Sequence, residues 1–141
     1  MGKNLNKTFS VVILFVVVIV IILVFETRND GTSLDQNMTK VAGEINRGCP
    51  VMIDSVTRFD NTAALTNNVF QFNFTILNAD KHDYDTMALQ ELVKKTALNS
   101  LKTDPKYRIF RDNSTKLRFT YHDKNAVYLC NVILDSDEYN R

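Results

Sequence analysis

Residues 69–77 read Val69-Phe70-Gln71-Phe72-Asn73-Phe74-Thr75-Ile76-Leu77, and their alternation decides the fold class. Side chains along a strand point to opposite faces in turn, so Phe70, Phe72, Phe74 and Ile76 fall on one side and Gln71, Asn73 and Thr75 on the other. A sheet with one apolar and one polar face needs cover on one side only, which is the habit of antiparallel sheets. Upstream, Val51 to Phe59 is a second strand-like run, separated from the first by Asp60-Asn61 and Thr66-Asn67-Asn68. The two are expected to pair as a hairpin. Before them Leu34, Met38, Val41 and Ile45 recur at helical spacing, with Ser33 as an N-cap, Gly48 beyond the end and Cys49-Pro50 as a stop.

Downstream, Asn78 to Asp83 reads as a polar loop, and Leu89, Leu92, Val93, Thr96, Ala97 and Leu101 form the apolar stripe of a helix from about Asp85 to Leu101. After Pro105, Tyr107 to Phe110 reads as a short edge strand or an extended linker. Leu117, Phe119 and Tyr121 then alternate with Lys116, Arg118, Thr120 and His122. A turn around Asp123-Lys124-Asn125 leads into a last strand from Ala126 to Leu134, and Asp135 to Arg141 reads as a polar tail. The expected fold is α+β, ordered helix-hairpin-helix-hairpin, with an antiparallel sheet of about four strands and helices on one face.

The chain has 141 residues, and 34–141 suffices for one such domain. Residues 11–25 are unbroken apolar, VVILFVVVIVIILVF. Counted from Thr8 to Phe25, the segment spans roughly 27 Å as a helix, close to the hydrocarbon thickness of a bilayer. No small-residue cleavage site follows it, so residues 8–25 are expected to remain as a transmembrane signal anchor. Lys3 and Lys7 precede the span, whereas Glu26, Arg28 and Asp30 nearly cancel after it. This bias puts the stub, residues 1–7, in the cytoplasm and the domain outside, joined by a tether at residues 26–33. The expected product is a single-pass protein of a bacterial cytoplasmic membrane with a periplasmic or extracytoplasmic domain.

Scarce Gly, Pro and Cys exclude collagen-like, low-complexity and disulfide-dense classes. All acidic residues lie at or beyond Glu26, together with all bases except Lys3 and Lys7. The exported part is therefore nearly neutral, and charge provides no case for nucleic acid. Between Lys94 and Lys124, however, bases outnumber acids. Lys116, Arg118 and His122 share one side of a strand, and Gln71 and Asn73 belong to the polar side of another. If helices cover the phenylalanine side, these five residues meet on the uncovered side as a candidate binding face; a plain solvated surface is the ordinary alternative.

Cys49 and Cys130 admit two readings. A disulfide would close a loop of about eighty residues, nominally 4 to 5 kcal/mol in the chain-entropy model; separate buried thiols behave as small apolar side chains. Cysteine catalysis by Cys49 with His82 or His122 lacks any local motif. Each histidine sits beside an aspartate in what reads as a turn, and no spacing suggests a metal centre or a cofactor site. No pair of carboxylates has an apolar setting suited to acid–base work. Asn37-Met38-Thr39, Asn73-Phe74-Thr75 and Asn113-Ser114-Thr115 match the glycosylation sequon, which matters only in a eukaryotic secretory pathway.

Several segments carry a resemblance: Glu44-Ile45-Asn46-Arg47-Gly48-Cys49-Pro50-Val51-Met52-Ile53-Asp54, Thr57-Arg58-Phe59-Asp60, Phe70-Gln71-Phe72-Asn73-Phe74-Thr75 and Arg111-Asp112-Asn113. Over most of residues 40–134 the chain resembles a group of small bacterial exported proteins with the pattern N-x-x-C-P…D-x-x-T-R-L-D…Y-x-Y-T. Phe59, Phe70, Phe72 and Phe74 stand where that pattern has Leu or Tyr. The resemblance implies a bacterial envelope protein and adds no catalytic residues; Arg58 and Asp60, on one strand face of its most distinctive polar segment, read by themselves as a structural ion pair. The expected function is a non-enzymatic, membrane-anchored interaction module whose partner is another envelope protein. The alternative is a small-ligand or lipid binder, with Phe70, Phe72, Phe74 and Tyr121 lining a pocket between helices and sheet.

Overall fold

The structure, a computed structural model, describes residues 34–141. The stub, the anchor and the tether lie outside the described residues. Among those described, no helix is long and apolar enough to cross a membrane. Helix α1 (Leu34–Asn46) leads into strands β1 (Val51–Met52), β2 (Thr57–Leu65) and β3 (Val69–Ile76). Helix α2 (Thr86–Thr103), a 3-10 turn (Pro105–Tyr107) and α3 (Arg108–Asp112) follow, then β4 (Lys116–Asp123), β5 (Tyr128–Leu134) and α4 (Ser136–Tyr139). The class is α+β, with a five-stranded sheet in the order β1-β2-β3-β4-β5.

Strands β2 and β3 pair antiparallel, as do β4 and β5, but β3 and β4 run parallel. The sheet is therefore mixed, which corrects the expected all-antiparallel arrangement. Parallel neighbours require a crossover connection, and here the helical segment 77–115 provides it. The expected strand 51–59 is broken in two. The Asp54 carboxylate accepts from the N–H groups of Val56 and Thr57 at 2.7 and 2.8 Å, turning the chain so that β1 folds back onto β2. Asp60-Asn61 is not a turn either: β2 continues through both residues, with a register shift between Phe59 and Asn61 that leaves Asp60 as a bulge. The reversal comes at 66–68, where Asn67 and Asn68 adopt positive φ of 61° and 55°, a conformation asparagine tolerates well.

Register places the core in rows. Val51, Phe59, Phe74, Tyr121 and Cys130 cross all five strands as one row; Thr62, Phe72, Phe119 and Val132 form the next, and Ala64, Phe70, Leu117 and Leu134 a third. The aromatic rings of this face touch each other. Phe72 stacks on Phe119 at 5.3 Å between centroids and Phe74 on Tyr121 at 5.0 Å, while Phe70 and Phe72 meet edge to face at 5.2 Å. Such pairs contribute about 0.5–1.5 kcal/mol each beyond the area they bury. Met38, Val41, Ala42 and Ile45 of α1 join the same buried cluster, as do Val93, Ala97 and Leu101 of α2. Asp85 caps α2 by accepting from the Ala88 N–H at 3.0 Å.

Two segments read as extended or polar are helical and buried. Asp104 accepts from the Lys106 N–H at 2.9 Å, and Pro105 starts the 3-10 turn. This winds 105–112 into helix and buries Tyr107 and Phe110, whose ring lies 5.2 Å from that of Phe70. At the C-terminus, Asp135 and Glu138 form a capping box for α4, which inserts Tyr139 into the core at 2% exposure. The Tyr139 hydroxyl donates to the carbonyl oxygen of Thr115.

Candidate functional site

With the helices joined to the phenylalanine face, the other face of the sheet is the candidate site. Its residues follow from the same register, read on the alternate positions. One row runs Met52, Arg58, Thr75, His122, Tyr128; the next runs Asn61, Asn73, Thr120, Asn131; the third runs Ala63, Gln71, Arg118, Ile133. All five residues of the expected binding face, Lys116, Arg118, His122, Gln71 and Asn73, lie on it and are half-buried. Gln71 stands directly beside Arg118, and Thr75 beside His122.

Two hydrogen-bonded groups organise the surface. In the first, the Asp60 carboxylate accepts from Arg58 Nε at 2.5 Å and from Thr75 Oγ1 at 2.6 Å. The bulge at Asp60 makes this possible, because it adds a residue to β2 beside Arg58 and directs the carboxylate across to β3. In the second, Arg118 donates to Gln71 Oε1 at 3.4 Å, Gln71 Nε2 to Asn73 Oδ1 at 2.7 Å and Asn73 Nδ2 to Asn61 Oδ1 at 2.7 Å. Each amide donates away from Arg118, so the chain of dipoles presents its acceptor end to the guanidinium. Lys116 pairs with Asp135 at 2.7 Å. Beside the first group is an open hollow of about 500 Å³ lined by Pro50, Arg58, Asp60, Asn61, Thr75, His122 and Ala126.

Three contributors were not singled out from the sequence. Met52, Tyr128 and Ile133 are 45%, 46% and 38% exposed and stand on β1 or β5, at the lateral margins of the polar rows. Alternation along 128–134 carried this signal for Ile133, which lies between the buried Val132 and Leu134. Tyr128 has the parity of the buried Cys130, and the register shift that skips Leu129 turns it to the outer face. The Tyr128 ring meets that of His122 edge-on at 6.3 Å.

Cys49 and Cys130 are both free thiols. Cys130 closes the row that begins with Val51, so it lies four strand spacings, about 19 Å along the sheet, from a residue two beyond Cys49. Disulfide-bonded Cα atoms lie within about 7 Å. Burial, reinforced by the Asp60 charge, pushes the Cys49 thiol up, and burial pushes the Cys130 thiol to about 11. Both shifts run opposite to the activation a cysteine nucleophile needs. His82 is exposed, with its backbone N–H bound to Asp80 at 3.2 Å. Among the described residues no three His, Cys, Asp or Glu side chains converge as metal ligands.

Phe70, Phe72, Phe74 and Tyr121 pack against other rings and line neither the outer hollow nor a second cavity of about 190 Å³. That second cavity lies between Met38 and Thr39 of α1 and the β2–β3 turn.

The fold recurs in solved structures of bacterial proteins. A Pseudomonas aeruginosa protein described as secreted superposes with a TM-score of 0.60 at 16% identity, covering 77% of this chain and 99% of that one. The pilotin EpsS of the Vibrio vulnificus type 2 secretion system gives 0.59 at 12% identity, covering 77% and 93%. The type II secretion pilotin AspS of Vibrio cholerae gives 0.53 at 11% identity, covering 74% and 91%. Identities this low establish a shared fold. No curated protein matches the sequence. Residues 33–129 match the model of a domain of unknown function, DUF8479, and the chain belongs to that family.

Proposed function

We propose that the protein is a non-enzymatic, membrane-anchored, extracytoplasmic interaction module, a subunit of a bacterial envelope complex, and that its partner meets the outer face of the sheet. The observation carrying this reading is the outer face itself: a polar surface whose side chains are held in place by one another and bordered by exposed Met52, Tyr128 and Ile133. Interfaces between proteins combine direct hydrogen bonds with apolar contact, and this face offers both, with its polar groups at the centre and its apolar ones at the margins. Likeness in fold to pilotins of the type II secretion system and to a secreted protein supports an envelope setting. Anchoring rests on the apolar run at 11–25 and its charged flanks.

The ligand-binder alternative is less favoured, since the rings assigned to its pocket fill the interior instead. The test is affinity capture from intact cells after cross-linking, comparing the native chain with the double variant Lys116→Glu, Arg118→Glu. Loss of the captured envelope proteins is expected. An unchanged set would remove the outer face from consideration.

A further inference from the structure

The cations of the outer face are not equivalent. Arg58 is neutralised by Asp60 and Lys116 by Asp135. Among the described residues Arg118 has no carboxylate partner: its one side-chain bond goes to the neutral Gln71 at 3.4 Å, and its Nε is buried with nothing to receive it. With Nε buried, an incoming group meets the guanidinium at its terminal nitrogens, where a bond to a carboxylate is among the stronger ones available. Next to Arg118 on the same row stands exposed Ile133, with Tyr128 further along β5.

Resting on the outer-face reading above, we infer that Arg118 is the specificity residue of that face. It takes a carboxylate from an acidic, amphipathic segment of the partner protein, whose apolar side chains rest on Ile133 and Tyr128. Charge complementarity sets the acid, because Arg118 is the guanidinium of the face without one. Charge also favours a partner's segment over a second copy of the chain, because the carboxylates that the outer face of another copy would bring, Asp60 and Asp135, are already paired with Arg58 and Lys116. Four strands of seven to nine residues and the two-residue β1 present a projected footprint of roughly 540 Å², room for one short segment. An anionic lipid surface is a weaker fit. Two of the cations are already neutralised, and the centre consists of the amides of Gln71, Asn73 and Asn61, which match a peptide's donors and acceptors.

The test is selection of random twelve-residue displayed peptides on the full chain held in phosphatidylcholine nanodiscs. The native chain should enrich sequences that combine Asp or Glu with apolar residues. Arg118→Gln should lower the preference for acid-containing peptides about tenfold while apolar selection persists. Arg118→Lys should retain part of that preference, and Ile133→Asp should weaken recovery of the whole set. Peptides enriched without acids would overturn the inference and leave the outer face standing. Identical sets from Arg118→Gln and Ile133→Asp would place binding elsewhere and overturn both readings, and the absence of any enriched peptide would overturn the partner class. Loss of recovery in nanodiscs containing phosphatidylglycerol would give the face to anionic lipid and overturn it as well.

Discussion

Asn46, the last residue of α1, binds both backbone groups of Thr62: its Nδ2 donates to the Thr62 carbonyl at 2.8 Å, and its Oδ1 accepts from the Thr62 N–H at 2.8 Å. One side-chain amide thus takes the place of a neighbouring strand. Strand β1 covers β2 only opposite Arg58 and Phe59, so the edge at Thr62 would otherwise offer an unpaired N–H and C=O to any passing chain. Asn46→Ala should lower unfolding free energy by about 1–3 kcal/mol and promote self-association at high concentration. Denaturant unfolding and light scattering read the two effects. Equal stability and an unchanged mass distribution would show that the edge needs no clamp.

Tyr139 should behave as a core residue although it belongs to a C-terminal stretch of polar composition. Its ring is buried, and its hydroxyl donates to the Thr115 carbonyl. Tyr139→Phe keeps the ring and removes the bond, and should cost about 1 kcal/mol. Tyr139→Ala also leaves a cavity, and should cost about 3–5 kcal/mol. If removal of residues 136–141 left the melting temperature unchanged, α4 would be an ornament of the fold rather than part of it.

Much of this architecture was legible because alternation survives any choice of strand direction. Gln71, Asn73 and Thr75 share a face with Arg118, Thr120 and His122 whether β3 and β4 run parallel or antiparallel, so the outer face could be assembled from sequence while its strand direction could not. The direction is decided by the crossover 77–115, whose buried anchors Tyr107 and Phe110 stand among charged residues and carry no strong period. The Asp60 bulge was hidden for another reason. Asp-Asn is turn chemistry, and it takes the pairing of β2 with β3, together with the cross-strand bond from Thr75, to show that this aspartate lies within a strand. The unpaired state of Arg118 depends on where Asp60 and Asp135 come to rest in three dimensions, which no spacing in the chain discloses.

Asp123 makes stability pH-dependent in the acid range. Burial acts to raise its pKa, but N–H groups of Val127, Asn125 and Lys81, aided by the Lys124 charge, outweigh burial and hold it below the ordinary carboxylate value. Those bonds, at 2.9, 2.8 and 3.1 Å, fix the β4–β5 turn and tie it to the loop before α2. A carboxyl whose folded pKa is depressed adds stability above its unfolded value of 3.8, and that stability fades as pH falls through the folded pKa. Asp123→Asn should therefore lower the melting temperature by several degrees at neutral pH, with the gap to the native chain closing toward pH 3. A gap that stayed constant with pH would assign the effect to geometry instead of charge.

The two thiols should remain separate and differ in reactivity, even in an oxidising compartment. Val51 and Cys130 end the same row on opposite strands of the sheet, so joining Cys49 to Cys130 would mean taking the sheet apart. Cys130 is buried and its thiol pKa is pushed up to about 11; at pH 8 only about one molecule in a thousand then carries the reactive thiolate. Cys49 is half-buried, at the exposed end of α1, and donates to the Ile45 carbonyl at 3.5 Å. Alkylation of the native protein at pH 8 should therefore modify Cys49 first and reach Cys130 only at the rate of global opening. Intact mass after export should show both cysteines reduced. Labelling of Cys130 as fast as Cys49 would mean that β5 detaches from the sheet in the native state, and a mass lower by the two hydrogens of an internal bridge would contradict the register of the strands between them.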